Sequence, residues 1–168
     1  MTLRTGRLET PIGALVWAER DGCLRAACFE EQWPRMQRRL GERAEDGEPA
    51  RRGAARGAVD ERLRAYFAGD LDALAELPVD PQGTPFQQKV WAALREIPPG
   101  RTTAYHELAR RVRSREAARA VGAACGANPI WIVIPCHRVV AAGGGLGGYG
   151  GGLRRKRWLL EHEGALPT

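Results

Sequence analysis

Two neighbouring residues in the last quarter of the chain, Cys136 and His137, carry side chains that could together perform nucleophilic chemistry. The thiolate is the reactive form of cysteine, and a nearby imidazole that is oriented by a carboxylate lowers the thiol pKa. A Cys-His dipeptide alone is weak support for catalysis. The glycine-rich stretch at residues 143–152 adds to it, because Tyr149 in its middle favours a loop that lies against a ligand over a flexible linker.

Composition and spacing argue against other chemistries. Ser114 is the only serine and has no Gly-x-Ser-x-Gly context, so a serine hydrolase is not expected. The glycine-rich stretch lacks the Gly-Lys-Ser/Thr ending of a phosphate-binding loop. The four cysteines, which are Cys23, Cys28, Cys125 and Cys136, form no Cys-x-x-Cys pair and lie in no zinc-binding pattern with the histidines. We therefore expect reduced thiols and no metal.

The distribution of charge indicates a polyanionic partner for the second half of the chain. The 168 residues carry a net charge of +6, but residues 1–80 hold 13 basic and 15 acidic side chains, whereas residues 81–168 hold 13 and 5. Such asymmetry favours a nucleic-acid-binding surface in the second half. No apolar run approaches the ~20 residues that span a bilayer, and the first residues lack a signal-peptide core. We expect a soluble, cytoplasmic protein that contacts no membrane.

The first half of the sequence predicts a small α/β domain over residues 1–80. Alternating apolar residues and the Asp21-Gly22 turn signal are typical of a strand meander. The predicted elements are strands at residues 3–9, 14–19 and 23–29, helices at 34–40 and 59–67, an exposed loop at 41–57, and a connector at about 70–83. The connector separates this domain from a second one at residues 84–168.

The second half predicts a helix-turn-helix. Thr84-Pro85 starts one helix, Thr103 can cap a second at residues 104–111, and Ser114 can cap a third at residues 115–125. The third helix is built from small residues around Arg119. Its smooth face indicates either close approach to nucleic acid or a tightly packed internal helix, and the residues alone do not separate these alternatives.

A buried segment and a closing helix complete the predicted second domain. The apolar run Ile130–Ile134 predicts a buried extended segment that leads into Pro135 and Cys136. Residues 153–163 predict the closing helix, which carries the carboxylate of Glu163 near its end. Together the elements predict a mixed α/β (α+β) fold.

Six motifs in this order resemble the O6-alkylguanine-DNA alkyltransferase family, in its bacterial single-function type. The resemblance is close over residues 84–164 and general in the N-terminal half. The motifs are Phe86-Gln87-x-x-Val90-Trp91, Tyr105-x-Glu107-Leu108-Ala109, Arg119-Ala120-Val121-Gly122, Asn128-Pro129, Pro135-Cys136-His137-Arg138-Val139 and Gly148-Tyr149-Gly150-Gly151-Gly152-Leu153.

The resemblance implies a catalytic role for five residues. Cys136 would accept the alkyl group from O6 of guanine, or from O4 of thymine, irreversibly. His137 would take the thiol proton through a water, and Glu163 would orient His137. Asn128 would hold the helix-turn-helix against the active-site turn, and Tyr105 would lie near the target phosphate and guanine N3.

The resemblance also implies how the protein binds DNA. Arg119 would enter the base stack where the flipped nucleotide left it, with a winged helix-turn-helix docked in the minor groove of double-stranded DNA. Further implied DNA contacts are Tyr105, Ser114, Arg115 and Ala118, and the implied guanine pocket is lined by Val139, Tyr149, Gly150, Trp131 and Cys125. The family implies a monomer that uses no cofactor.

Three other functions remain open at this point. The first is an alkyltransferase-like protein that binds the lesion without efficient transfer, although such proteins lack the acceptor cysteine that Cys136 resembles. The second is a cysteine hydrolase, which would leave the basic helix-turn-helix unexplained. The third is a DNA-binding regulator of the winged-helix type.

Overall fold

A three-stranded antiparallel meander organises the first half of the chain in the computed structural model, which describes residues 3–40, 57–112 and 118–166. The strands are β1 (Arg4–Thr10), β2 (Gly13–Arg20) and β3 (Cys23–Phe29), and they confirm the predicted meander. Asp21 and Gly22 join β2 to β3 with φ values of 53° and 80°. Positive φ at both positions matches the right-handed twist of a hairpin, which explains the Asp-Gly pair.

A glycine in β1 makes room for the largest side chain of this sheet. Gly6 pairs with Trp17 across β1 and β2, and Trp17 is 2% exposed. A Cβ atom on Gly6 would overlap the indole atoms Cζ2 and Cε2 of Trp17. The indole therefore lies directly over the Gly6 backbone. Other large side chains of this half that are fully buried include Leu15, Leu24, Phe29, Leu63 and Tyr66.

Two helices pack on the meander. A 3-10 turn (Glu30–Gln32) leads into α1 (Trp33–Leu40), which contacts β3, and α2 (Ala58–Phe67) contacts β1. Each helix begins one residue before its predicted start. The loop predicted at 41–57 lies, up to residue 56, outside the described residues.

The second edge of β3 is covered by two short segments of the chain. One parallel bridge joins Leu24 to Val79, and another joins Ala27 to Ile130. Ala27 uses both of its backbone groups here, because its N–H donates to the Pro129 carbonyl at 2.9 Å and its carbonyl accepts from the Trp131 N–H at 2.8 Å. These bonds attach the segment Pro129–Trp131 to the sheet.

The chain divides into two compact units that are not contiguous in sequence. The first comprises residues 1–82 with Pro129–Trp131, and the second comprises residues 83–128 and 132–168. The sequence predicts that all residues from 84 onward form one domain. Pro129–Trp131 belong to the first unit instead, because they are hydrogen-bonded to the backbone of Ala27.

The second unit is helical, with one pair of short parallel strands. Its elements are α3 (Pro85–Arg95), β4 (Thr103–Ala104), α4 (Tyr105–Arg111), α5 (Ala118–Gly126), a 3-10 turn (Cys136–Arg138), β5 (Val139–Val140) and α6 (Leu153–His162). The predicted start of α3 is confirmed. The Thr84 hydroxyl accepts from the Gln87 N–H at 3.1 Å, and the Gln87 side chain accepts from the Thr84 N–H at 2.9 Å.

The start of α4 differs from the prediction. Thr103 does not cap the helix, because it lies in β4 and pairs with Val139. Ala104 occupies the N-cap position without a side-chain cap. The helices α4 and α5 pack against each other, as the helix-turn-helix pattern predicts. The connection between them, which includes Ser114 and Arg115, lies outside the described residues.

The prediction of an extended segment at Ile130–Ile134 is wrong, although all five residues are buried. The chain turns at Ile132, where φ is 72°. This left-handed conformation is costly for a β-branched residue, by about 1–3 kcal/mol. Hydrogen bonds on both sides of Ile132 require this turn. Before it, Ile130 pairs with β3, and after it the Ile134 carbonyl accepts from the Asn128 side chain.

We expect Gly6→Ser to lower the free energy of unfolding by about 1–3 kcal/mol, because a side chain has no room beside the indole of Trp17. Gly57→Ser is the matched control, since a Cβ at this N-cap of α2 meets nothing within 4 Å and a serine there can cap the helix. Urea denaturation measures both. Equal stability of Gly6→Ser and the unaltered protein would contradict the packing described for Trp17.

Candidate active site

Two consecutive tight turns hold the backbone of Cys136. Pro135 has φ −83° and ψ 64°, and the Cys136 N–H donates to the Ile134 carbonyl at 2.8 Å, which is an inverse γ-turn. The Arg138 N–H then donates to the Pro135 carbonyl at 3.0 Å and closes the 3-10 turn. We call residues Ile134–Arg138 the nucleophile turn. Its two hydrogen bonds fix the backbone of Cys136.

Asn128 ties the end of α5 to the nucleophile turn. Its side chain is buried, and Nδ2 donates to the Ile134 carbonyl at 2.8 Å. The same carbonyl accepts from the Cys136 N–H, and the Asn128 side chain also forms a hydrogen bond with the Cys136 thiol. One amide therefore positions both the backbone and the side chain of the nucleophile.

The thiol of Cys136 is protonated at rest. Burial raises the pKa of Cys136, and this effect exceeds the opposing effects of the Asn128 hydrogen bond and the positive charge of Lys156. Because the thiolate is the nucleophilic form, a nucleophilic role for Cys136 would require a base that removes this proton.

His137 and Glu163 form a buried pair behind the cysteine. Nε2 of His137 lies 2.9 Å from Oε2 of Glu163, and both side chains are fully buried. Glu163 directly follows α6, at the position that ends the helix. The close packing there extends to Gly100, where a Cβ atom would lie 3.3 Å from the Glu163 carbonyl oxygen.

Arg138 neutralises the carboxylate of Glu163. Nε donates to Oε1 at 2.8 Å and Nη2 to Oε2 at 2.9 Å, a bidentate pair, while Nη1 donates to the Ile97 carbonyl at 2.6 Å. Burial alone would raise the pKa of Glu163, but its contacts with His137 and Arg138 hold that pKa well below its ordinary value. The sequence analysis assigned no role to Arg138, although a buried arginine requires a partner such as this one.

His137 has an unused acceptor atom. Burial lowers the pKa of His137 and the Glu163 carboxylate only partly offsets this, so the imidazole is neutral at neutral pH. The ionised carboxylate can only accept, which assigns the ring proton to Nε2 and leaves Nδ1 as an acceptor. Nδ1 is buried and has no hydrogen-bond partner among the described residues. The fold therefore leaves this nitrogen available to accept a proton.

A small cavity opens beside the nucleophile turn. Its volume is about 190 Å³, less than the roughly 300–1,000 Å³ of a site for a drug-sized ligand. The walls are mostly apolar and rich in glycine, which allows a flat ring to approach the backbone closely. The lining residues are Tyr105, Gly122, Cys125, Gly126, Cys136, Gly148, Tyr149 and Gly150.

Tyr105 lies between α5 and the glycine-rich loop. A Cβ atom on Gly147 would come within 3.1 Å of the Tyr105 ring, and one on Gly122 within 3.9 Å. The Tyr105 hydroxyl accepts a hydrogen bond from the Gly148 backbone, and burial raises the pKa of Tyr105. The hydroxyl therefore stays protonated and remains a hydrogen-bond donor at neutral pH.

The structure brings some of the residues predicted for the pocket to the cavity and leaves others elsewhere. Cys125, Tyr149 and Gly150 line it, whereas Val139 and Trp131 do not. The Val139 side chain is buried in β5. Trp131 belongs to the first unit, where its ring lies 6.0 Å from that of Phe29.

The residues predicted to contact DNA are partly described. Arg119 is exposed on α5 and Ala118 is half-buried at its start. Arg119, Gly122 and Gly126 follow helical spacing, so Arg119 projects from the same side of α5 that lines the cavity. Ser114 and Arg115 lie outside the described residues.

The sequence analysis missed Lys156. This residue of α6 is 0% exposed, and Nζ donates to the carbonyls of Val139 at 2.6 Å and Gly148 at 3.0 Å. A signal for it was present in the composition, because Lys89 and Lys156 are the only lysines among 26 basic residues.

The described residues contain neither a metal-binding cluster nor a membrane-spanning helix. In residues 3–40, 57–112 and 118–166, no group of three or more His, Cys, Asp or Glu side chains could hold a metal ion. None of the helices described there has the length and apolar character that crossing a bilayer requires.

The fold and the site define a class of protein in which a buried cysteine thiol lines a small cavity in a helical unit. The family profile "6-O-methylguanine DNA methyltransferase, DNA binding domain" matches residues 85–165. The methylated-DNA–protein-cysteine methyltransferase of Shigella flexneri is 44% identical over 162 residues, 95% of each chain. This chain therefore belongs to the methylated-DNA–protein-cysteine methyltransferase family.

Solved structures agree with this assignment. The Mycobacterium tuberculosis O6-methylguanine methyltransferase is 41% identical, with a TM-score of 0.78 over 99% of this chain and 96% of that one. A structure of the Mycobacterium tuberculosis protein in complex with DNA is 44% identical, with a TM-score of 0.78 over 95% of this chain and 92% of that one. An O6-methylguanine-DNA methyltransferase from Pyrococcus kodakaraensis is 27% identical, with a TM-score of 0.73.

We expect acid to destabilise the protein through Glu163. Its pKa is lower in the folded than in the unfolded state, so its contribution is complete above the ordinary value of about 4.3 and is lost as pH falls below that value. Glu163→Gln should reduce stability at pH 7 by roughly 3–5 kcal/mol, since Arg138 then keeps a buried charge without its carboxylate. The substitution should also make the free energy of unfolding fall less steeply with pH below pH 5.

Urea denaturation between pH 3 and pH 7 measures both effects. Glu161→Gln is the matched control, because Glu161 lies on the same helix but is half-exposed. A Glu163→Gln protein that keeps the acid dependence of the unaltered chain would refute the role given to this carboxylate.

Proposed function

We propose that this chain repairs alkylated DNA directly, by moving an alkyl group from O6 of guanine, or from O4 of thymine, to Cys136. Methylated-DNA–protein-cysteine methyl transfer is the activity of the family to which it belongs, and relatives that match 95% of its length carry that name. The observation that carries the assignment to Cys136 is its position in the wall of the small cavity, on a turn held by Asn128.

The proposed transfer needs one base and one hydrogen-bond donor. Nδ1 of His137 takes the thiol proton through a water, while Glu163 and Arg138 hold the imidazole. The sulfur then attacks the alkyl carbon, the C–S bond forms and the bond from carbon to O6 breaks. The electron pair passes to the guanine, where the protonated Tyr105 hydroxyl disperses the developing charge. The step draws on no metal and no cofactor.

The lesion must leave the duplex to reach the thiol. O6 of guanine lies inside the paired helix, so the nucleotide is extruded into the cavity before reaction. The small residues of α5 suit close docking in the minor groove, and Arg119 fills the gap in the base stack. Its position on the same helix face as Gly122 and Gly126 supports this role. Ala118, at the start of that helix, would contact the DNA backbone, as would Ser114 and Arg115, which precede it in the sequence.

The proposed reaction ends after one transfer. The product is a thioether, which thiol–disulfide exchange does not reverse, because exchange requires a disulfide sulfur. One chain supplies the nucleophile, the base and the donor, which supports a monomer as the active form. The four free cysteines fit the reducing cytoplasm as its location.

The other functions considered have less support. An alkyltransferase-like lesion binder has no use for the thiol of Cys136, and the relatives that match most of this chain are named methyltransferases. A cysteine hydrolase or a DNA-binding regulator would not account for both the cavity and the DNA-binding profile over residues 85–165.

We expect Cys136→Ser to abolish alkyl acceptance while duplex binding remains, because a hydroxyl is a far poorer nucleophile than a thiolate at neutral pH. Mass spectrometry after incubation with DNA containing O6-methylguanine should show one added methyl group per unaltered chain, on Cys136, with no further product at excess lesion. Cys23→Ser is the control and should still accept one group.

Two results would count against the proposal. The first is methylation of Cys23, Cys28 or Cys125 in place of Cys136. The second is a sustained linear phase after one equivalent, with Cys136 recovered unmodified, which would show true turnover.

We expect Arg119→Ala to slow repair of duplex DNA at least about tenfold more than reaction with free O6-benzylguanine. Only the duplex requires extrusion, and unstacking costs a few kcal/mol. Arg154→Ala removes one exposed positive charge from α6 and serves as the charge-matched control. An equal loss on both substrates, or an equal effect of the two substitutions on duplex repair, would contradict the role of Arg119 in extrusion.

A further inference from the structure

Lys156 is the fully buried cation of the described part of the chain, and its contacts connect two walls of the site. Its ammonium donates to the carbonyl of Val139, the residue that directly follows the nucleophile turn, at 2.6 Å. It also donates to the carbonyl of Gly148, in the glycine-rich loop that lines the cavity, at 3.0 Å. One side chain from α6 thus fixes the distance between the turn and the loop.

Both backbone polar groups of Gly148 form hydrogen bonds. Its carbonyl accepts from Lys156, and its N–H donates to the Tyr105 hydroxyl. Without these bonds a glycine-rich loop would sample many conformations, because glycine restricts the backbone least. Lys156 therefore contributes to a preformed cavity wall.

Lys156 differs from the basic residues around it. Arg154, Arg155 and Arg157 surround Lys156 in sequence, and 24 of the 26 basic residues are arginine. A compact ammonium can direct its donors at two carbonyls in a narrow space, whereas a guanidinium presents its donors in a fixed planar fork. The ammonium therefore suits the two carbonyl contacts at this position.

We propose that Lys156 is a positioning residue for the alkyl transfer: its ammonium holds the Gly148 wall of the cavity against the nucleophile turn and stabilises the Cys136 thiolate as it forms. This role rests on the proposed function and adds to it a residue that accounts for how a buried thiol can ionise.

The charges around Lys156 support the second part of this role. Burial lowers the pKa of Lys156 to about 8, and the neighbouring Cys136 and Cys125 partly oppose that effect. The side chain therefore remains predominantly charged at neutral pH. Its positive charge lowers the pKa values of both the Cys136 thiol and the His137 imidazole. It favours the thiolate and keeps the imidazole free to accept a proton.

The pH dependence of Cys136 alkylation tests the proposal. Iodoacetamide is a neutral probe, and fragmentation of the peptide at residues 120–138 in the mass spectrometer separates an adduct on Cys136 from one on Cys125. We expect Lys156→Met to slow the reaction about tenfold at pH 7 and to move its midpoint to higher pH, because a nearby positive charge has been removed. Lys156→Arg should restore the midpoint toward that of the unaltered protein, since the charge is kept.

Lys89→Met is the matched control, because Lys89 is exposed on α3, and it should leave the midpoint unchanged. A purely structural role for Lys156 would reduce the fraction of reactive protein without moving the midpoint. An unchanged midpoint in Lys156→Met, or a midpoint for Lys156→Arg equal to that of Lys156→Met, would overturn the proposal.

A second measurement covers the case in which the Lys156 variants do not fold. In the unaltered protein, the ¹³Cε resonance of Lys156 should titrate near pH 8. In Cys136→Ser it should titrate at lower pH, because no thiolate forms beside it. An identical titration in both proteins would overturn the thiolate role.

The iodoacetamide experiment contains no DNA, so the two proposals fail separately. A shifted midpoint in Lys156→Met, together with an unaltered protein that accepts no methyl group from DNA, would leave the role of Lys156 intact and refute the proposed function. The reverse result would refute only the role of Lys156.

Discussion

The negative charge of Glu163 lies in an electrostatically unfavourable position, and the rest of the site depends on the groups that neutralise it. It is buried and follows the last turn of α6, where the helix dipole presents its negative end. The bidentate pair with Arg138 supplies the opposing charge. Because Arg138 also binds the carbonyl of Ile97, the same ion pair joins the chain after α3, the nucleophile turn and α6. The same carboxylate fixes the tautomer of His137, so one group both stabilises the fold and orients the imidazole.

The charge balance of the buried site differs from that of an ordinary protein interior. Arg138 and Glu163 neutralise each other, whereas Lys156 donates to two carbonyl oxygens and interacts electrostatically with Cys136 and Cys125. With Arg138 and Lys156 charged and Glu163 ionised, these three groups carry a net charge of +1 when the thiol is protonated. Formation of a thiolate at Cys136 would cancel that excess, which is the electrostatic preorganisation that a buried nucleophile needs.

Local signals in the sequence predicted local features well, and long-range contacts explain the rest. The cap at Thr84 needs only its neighbours, and it was predicted at the correct residue. Thr103 has the same cap chemistry, but β4 pairs with a strand 36 residues later, and no local pattern shows that partner. The turn at Ile132 likewise depends on bonds to two distant segments. For the site, the motif indicated Cys136 and His137, whereas the burial of Lys156 inside an arginine-rich helix could be read only from the fold.

The attachment of Pro129–Trp131 to β3 has a consequence for how the chain is made. Synthesis proceeds from the N-terminus, so residues 1–82 leave the ribosome well before the segment that bonds both backbone groups of Ala27. Until residue 131 emerges, this end of β3 presents an unpaired edge, the part of a sheet most prone to pair with other chains. Completion of the first unit must wait for α3, α4 and α5 to be synthesised, which couples the maturation of the two units in time.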